Sequence, residues 1–305
     1  MANQLKKISF SCATNCSKIS MGCDSKRNYR FLPMTNHTKS IAKIMYLNPL
    51  GSNSYDQIFA DLLKTNKYPE SEIHVTSLNE TAGRFTNLEY RTYEAMVTGD
   101  IIRATRQASK EGFDALIIGC FYDTALQDAR EIAGDMLVLG PCQSSIELVS
   151  KLANNFSVIV GRSKWINQMT GVVRSYGYGS YLASFRDIGM NVVELQKDPG
   201  ATAEKLLEAG RKAIDEDRAE SLILGCTIEF GFFKTMEAEL KVPIIDPTFA
   251  ALKSAEHSVM TTKQFGWKPS RKWSCEAPPE EEVKQFGIFA KDYEFGNRIV
   301  LESKG

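Results

Sequence analysis

"ALIIGCFYDTAL", residues 115–126, is an apolar run that ends in a glycine and a cysteine. "SLILGCTIEFGF", residues 221–232, repeats the arrangement, and Cys226 follows Cys120 by 106 positions. Short continuous apolar runs bounded by turn residues read as fully buried strands of a parallel sheet. Outward from these two, "IAKIMYL" (41–47) is another, closed by Asn48-Pro49. "EIHVTSL" (72–78), "MLVLG" (136–140), "FSVIVG" (156–161), "NVVEL" (191–195) and "VPIID" (242–246) complete the set of expected strands. Between them, residues 54–67, 88–111, 124–132, 144–153, 164–176, 201–215, 230–240 and 249–257 carry apolar side chains at helical spacing. Strands alternating with helices predict right-handed βαβ units and an α/β fold with mainly parallel, four-stranded sheets.

The series runs twice. "GFDALIIGC" (112–120) answers "RAESLILGC" (218–226), and "MLVLGP" (136–141) answers "VPIIDP" (242–247). In each half the cysteine follows the third expected strand, the mark of an internal duplication of about a hundred residues. This predicts a first α/β domain over 41–153 and a second over 154–257. Residues 1–40 hold five Lys and two Arg against the single acid Asp24. That composition reads as a basic, disordered leader or a later natural start at Met34, with an organellar transit peptide as the alternative. Residues 258–305 read as a Pro-rich, charged tail that packs back on the first domain, with Trp267 and Trp273 as apolar anchors.

Composition narrows the function. Lys+Arg and Asp+Glu are 37 each, so no basic field points to nucleic acid or an anionic membrane surface. The apolar runs are far short of the ~20 residues that cross a bilayer. Seven scattered cysteines and three histidines form neither a disulfide framework nor a zinc motif and suit free thiols in a reducing, cytoplasmic setting. The sequence carries no G-x-G-x-x-G, Walker loop or EF-hand, so no cofactor is expected.

Ligands of parallel α/β sheets bind beyond the carboxyl ends of the strands. Cys120 and Cys226 stand at such ends, each ahead of an expected helix whose N-terminus would lower the thiol pKa. A lone strand-end cysteine is ordinarily a small hydrophobe. Two at equivalent places in a duplicated fold call for a shared chemical task. Facing each other across an interdomain cleft, one thiolate removes a proton from a carbon and the other thiol returns one from the opposite side. Around them, Asn48 is a candidate for a substrate carbonyl or for the turn before Pro49. Ser52 is a candidate contact or a helix cap, Arg84 an anion anchor or a solvated loop residue, and Phe121 a pocket wall. Asp123 reads as the N-cap of the helix after Cys120. Cys142 and Cys275 read as structural or inert.

"NP" after the first strand, "GCF-x-D" after the third and "LGCT" in the second half resemble the aspartate/glutamate/hydantoin racemase superfamily, nearest its hydantoin and allantoin racemase branch. The likeness spans 41–257. It implies two pseudo-symmetric flavodoxin-like domains with the active site in the cleft between them. It further implies cofactor-independent two-base chemistry at Cys120 and Cys226, with substrate contacts at Asn48, Phe121 and the Thr227 loop. Ile228 stands where glutamate racemases carry His, and Glu229 does not directly follow Thr227, which points to a ring or amide substrate. The expected function is therefore racemisation of a 5-substituted hydantoin or allantoin-like ring. The alternatives are an Asp/Glu-type amino-acid racemase, a maleate-type cis–trans isomerase or decarboxylase, and a non-catalytic small-molecule binding protein. The expected partner is a small-molecule substrate, with a homo-oligomer allowed.

Overall fold

A computed structural model describes residues 41–304. The expectations for the leader, residues 1–40, lie outside the described residues. The first half of the chain runs β1 (Lys43–Asn48), α1 (Asp56–Asn66), β2 (Glu72–Ser77), α2 (Arg91–Lys110), β3 (Ala115–Ile118), α3 (Leu126–Ile132), β4 (Leu137–Leu139) and α4 (Pro141–Val149). The second runs β5 (Phe156–Val160), α5 (Ser163–Ser175), β6 (Leu182–Asp187), α6 (Pro199–Asp215), β7 (Leu222–Leu224), α7 (Phe233–Leu240), β8 (Ile244–Ile245) and α8 (Pro247–Phe265). α9 (Glu280–Phe286) and β9 (Asn297–Leu301) follow.

The strand order is β4-β3-β1-β2-β9 in one sheet and β6-β5-β7-β8 in the other. Within each half the order is thus second, first, third, fourth, and all those pairings are parallel. The α/β fold with parallel-dominated sheets that the alternation of elements predicts is the fold the chain adopts. This order places the reversal of winding between the first and third strands, so the loops after β1 and β3, and after β5 and β7, open a crevice at the strands' carboxyl ends.

Buried strands show both faces in the packing. Ile44, Tyr46 and Ile117 point into one apolar cluster that continues through Phe156, Trp165 and Leu222 of the second half. Their neighbours Met45, Leu47, Leu116 and Ile118 point the other way, into a second cluster with Val97 and Ile101 of α2 and Leu126 of α3. Alternation of side chains along a strand requires two covered faces of this kind. Among the described residues no helix is long and apolar enough to cross a membrane.

Two expectations are corrected. "NVVEL" (191–195) is a turn, and the second strand of that half is instead Leu182–Asp187. β6 is an edge strand, paired on one side only, and it carries polar side chains that the interior would not accept. Its Ser184 hydroxyl is bonded to Ser157 and Asp217, and Arg186 holds Asp217 and Glu216. The turn at 191–195 is apolar for another reason: Leu195 is fully buried. The first sheet, expected with four strands, has five, because β9 pairs antiparallel with β2, Leu301 opposite Ile73 and Val300 opposite His74. In β9 Leu301 is buried and Val300 is exposed.

That register yields a direct test. Leu301→Ala should lower unfolding stability by about 2–5 kcal/mol in urea titration, whereas Val300→Thr should change it by no more than about 0.5 kcal/mol. Equal effects would show that β9 does not hold this register.

Candidate active site

Cys120 and Cys226, from the loops after β3 and β7, line one cavity together with Asn48, Phe121 and Thr227. Tyr55, Phe59, Tyr122, Trp165 and Met169 supply most of its apolar wall. The cavity offers about 60 Å³ to the centres of water molecules. The glycine before each cysteine is required by close packing. A Cβ on Gly119 would lie 2.7 Å from the Tyr46 ring, and one on Gly225 would lie 2.6 Å from the Ile159 carbonyl oxygen. Real Cβ contacts are not that short, so only glycine lets each loop leave its strand at the angle that brings the thiol to the cavity.

The two loops are also tied to each other: the Thr227 hydroxyl donates to the Gly119 carbonyl across the halves at 3.1 Å. Asn48 sits at the cavity floor, but its Nδ2 donates to Asp56 at 2.7 Å and to the Ser52 carbonyl at 3.1 Å, so its amide N–H groups hold the turn after β1. Ser52 and Arg84 are not brought to the thiols. They border a neighbouring depression, where Ser52 bonds Ser54 and Arg84 is largely exposed and paired with Glu80 at 2.6 Å.

The expected lowering of the thiol pKa values is overturned. α3 begins at Leu126 and α7 at Phe233, several residues past the cysteines, so neither sulfur caps a helix. Burial pushes the Cys120 thiol up to about 12, and the Glu94 carboxylate pushes in the same direction. Burial holds the Cys226 thiol well above its ordinary value, with Glu229 adding to the effect. Opposing this, the backbone N–H two residues on, of Tyr122 and of Ile228, favours each thiolate. The halves match in this detail as well.

Four buried carboxyls surround the thiols, and the sequence pattern reveals three of them poorly. Glu94, in the first turn of α2, accepts from the Thr124 hydroxyl at 3.0 Å and from Gln168 of α5 at 2.5 Å, and burial raises its pKa. Glu229 is fully buried, and neither carboxyl oxygen has a hydrogen-bond partner among the described residues. Burial holds its pKa well above the usual glutamate range. Glu89 reaches across the halves, accepting from Arg162 at 2.9 Å and from the Val192 N–H at 2.8 Å. Asp123 does cap a helix, though a different one from that expected. Its oxygens accept from the Cys142 and Gln143 N–H groups at the start of α4, both at 2.9 Å, and from the Tyr176 hydroxyl at 2.8 Å. Gly140 makes room for it, since a Cβ there would meet the carboxyl at 2.3 Å. Cys142 is fully buried and Cys275 is exposed, both away from the cavity.

Comparison with known proteins returns one family. The profile of the Asp/Glu/hydantoin racemase family matches residues 44–255. A hydantoin racemase of Pseudomonas sp. (strain NS671) is 35% identical over 182 residues, 60% of this chain and 71% of that protein. A hydantoin racemase of Paenarthrobacter aurescens is 30% identical over 241 residues, 79% of this chain and 99% of that protein. Among solved structures, an allantoin racemase from Klebsiella pneumoniae superposes with a TM-score of 0.69 at 23% identity, covering 78% of this chain and 94% of that one. The last is a likeness of fold.

Glu229 makes the burial argument measurable. A carboxyl whose folded pKa is raised contributes fully below its unfolded value of about 4.3 and loses stability as pH rises toward the folded value, by about 1.4 kcal/mol per pH unit. Glu229→Gln removes that loss. The stability of the variant relative to the native chain should therefore climb by at least about 1 kcal/mol between pH 5 and pH 7 in urea titrations. A difference that stays flat over this range would mean that Glu229 is not held neutral.

Proposed function

The chain belongs to the Asp/Glu/hydantoin racemase family, and on that premise we propose that it racemises a carbon acid beside a carbonyl, without a cofactor. The substrate in this reading is a 5-substituted hydantoin or an allantoin-like ring, and Cys120 and Cys226 alternate as base and acid. The observation that supports it is the single cavity shared by two thiols from equivalent strand ends.

The chemistry follows from the placement. One thiolate takes the proton from the ring carbon; the C–H bond breaks, an S–H bond forms, and the electron pair spreads onto the adjacent carbonyl oxygen. Backbone N–H groups of the loops around Phe121 and Thr227 would stabilise that oxygen. The second thiol then delivers its proton to the opposite face, and the configuration is inverted. The difficult requirement is the thiolate itself. With Cys120 at about 12, the free anion at neutral pH is roughly a 1 in 10⁵ species, on the order of 7 kcal/mol uphill.

Incubation in D₂O with a panel of 5-substituted hydantoins, allantoin and aspartate should place deuterium on the ring carbon of a hydantoin or allantoin without net conversion. Cys120→Ser and Cys226→Ser should each reduce racemisation by about 10²–10⁴-fold. Near-native turnover in both single variants would end this reading, and exchange confined to aspartate would move it to an amino-acid racemase.

A further inference from the structure

We propose that Glu94, acting through the Thr124 hydroxyl, is the positioning residue that accepts the Cys120 proton and so prepares this thiol as a base. The inference rests on the reading of Cys120 as a proton-transfer group and goes beyond it, since neither residue borders the cavity. Thr124 lies four residues after Cys120, 3.7 Å from its sulfur and 3.0 Å from Glu94 Oε2. Glu94 and Thr124 are less than a tenth exposed, whereas Cys120 is partly exposed where it lines the cavity. A hydroxyl has one hydrogen, so Thr124 can serve both neighbours in only two arrangements.

In the first, the Cys120 S–H donates to Thr124 Oγ1 and the Thr124 O–H donates to the Glu94 carboxylate. In the second, protonated Glu94 donates to Oγ1 and the Thr124 O–H donates to the thiolate. Passage between them breaks the S–H bond and the original Oγ1–H bond and forms a new Oγ1–H bond and an Oε2–H bond. No electrons are exchanged with another reactant, and the triad keeps one negative charge throughout. The carboxylate that opposes a Cys120 anion while ionised is neutral whenever that anion exists.

The surroundings support one shared proton. Gln168 donates to Glu94 Oε1, leaving Oε2 to Thr124. The other charged or titratable groups facing Glu94 are Arg91 of its own helix, Lys164 of α5, and Tyr122 beside Cys120. Asp123 and Cys226 face Cys120. A glutamine at 94 keeps both bonds of the site, accepting from Gln168 and donating to Thr124, so the variant is expected to fold.

The triad predicts a distinctive pH dependence, readable without a substrate. Within the range where the triad holds one proton, its thiolate fraction does not change with pH. The rate of iodoacetamide alkylation at Cys120, resolved by peptide mass spectrometry, should vary by less than about threefold between pH 6 and pH 8. Glu94→Gln can form the thiolate only by net loss of a proton, so its rate should start lower and climb about tenfold per pH unit, whereas Thr124→Val loses the hydroxyl that donates to the sulfur and should react more slowly than the native chain. Thr124→Ser keeps a hydroxyl and should keep the flat profile. Circular dichroism and urea midpoints confirm that each variant is folded. A purely structural or electrostatic role gives the opposite sign, because deleting a negative charge lowers the thiol pKa and speeds alkylation at every pH. That result, a flat profile in Glu94→Gln, an unchanged rate in Thr124→Val, or a native profile that itself climbs tenfold per unit would overturn the relay. Full racemisation by Cys120→Ser would instead overturn the function on which it rests, whatever the alkylation profiles show.

Discussion

Both cysteines are partly buried, and burial makes a sulfur anion there costly; the rest of the site is arranged around that constraint. An exposed thiol would ionise more readily but would lie in competition with solvent for any proton it moved. A buried one is protected from solvent exchange and needs fixed dipoles in place of water. The chain supplies them in duplicate: the Tyr122 N–H to Cys120 and the Ile228 N–H to Cys226, both two residues downstream of the sulfur. Each loop can turn its N–H back in this way because glycine precedes the cysteine where the Tyr46 ring and the Ile159 carbonyl leave no room for a side chain.

Geometry at the sulfur depends in turn on how the halves are held. Backbone pairing within each sheet fixes the strand ends, but it says nothing about the distance between sheets. That is set by the apolar cluster shared by both halves and by polar contacts between them: Glu89 to Arg162 and Val192, Glu94 to Gln168, Asp123 to Tyr176, and Thr227 to Gly119. All four use a buried acceptor in the first half. A buried carboxylate that loses its donors is left with an uncompensated charge, so separation of the halves would expose or strand three acids together. The same contacts that shape the cavity therefore resist separation of the halves.

What the sequence made legible, and what it hid, divides along these lines. β1, β3, β5 and β7 are central strands, covered on both faces, and their unbroken apolar runs announce them. The two thiols stand directly after such runs, so the pair was readable from spacing. β6 was missed because an edge strand is built from polar side chains such as Ser184 and Arg186, while the apolar "NVVEL" beside it fills the core as a turn. β9 was hidden because its partner β2 lies more than two hundred residues earlier in the chain, and nothing local distinguishes a strand that completes a sheet from a tail. Asp123 was correctly read as a cap, but the helix it caps is α4, nineteen residues on, where only the fold places it. Glu89 and Glu94 were not found at all. They look like ordinary acids near the start of an exposed helix, and their burial is created by a second half whose sequence begins sixty residues later.

Duplication explains the backbone of the site more completely than its electrostatics. The strand order, the Gly-Cys pair and the N–H behind each sulfur repeat, whereas the acids do not. Cys120 has a carboxylate reached through a hydroxyl, and Cys226 has Glu229, whose pKa burial holds well above the usual glutamate range. A racemase does not need symmetrical acids. Its equilibrium constant is unity because its two products are mirror images, and that thermodynamic limit constrains only the ratio of kcat/KM in the two directions. The individual thiols are free to differ in how their protons are held between turnovers. On the proposed reading, a two-base cycle leaves Cys120 protonated and Cys226 ionised after each inversion in one direction, and the enzyme must then return a proton to Cys226 and remove one from Cys120. An acceptor linked to Cys120 and a carboxyl with a raised pKa beside Cys226 suit the two halves of that return.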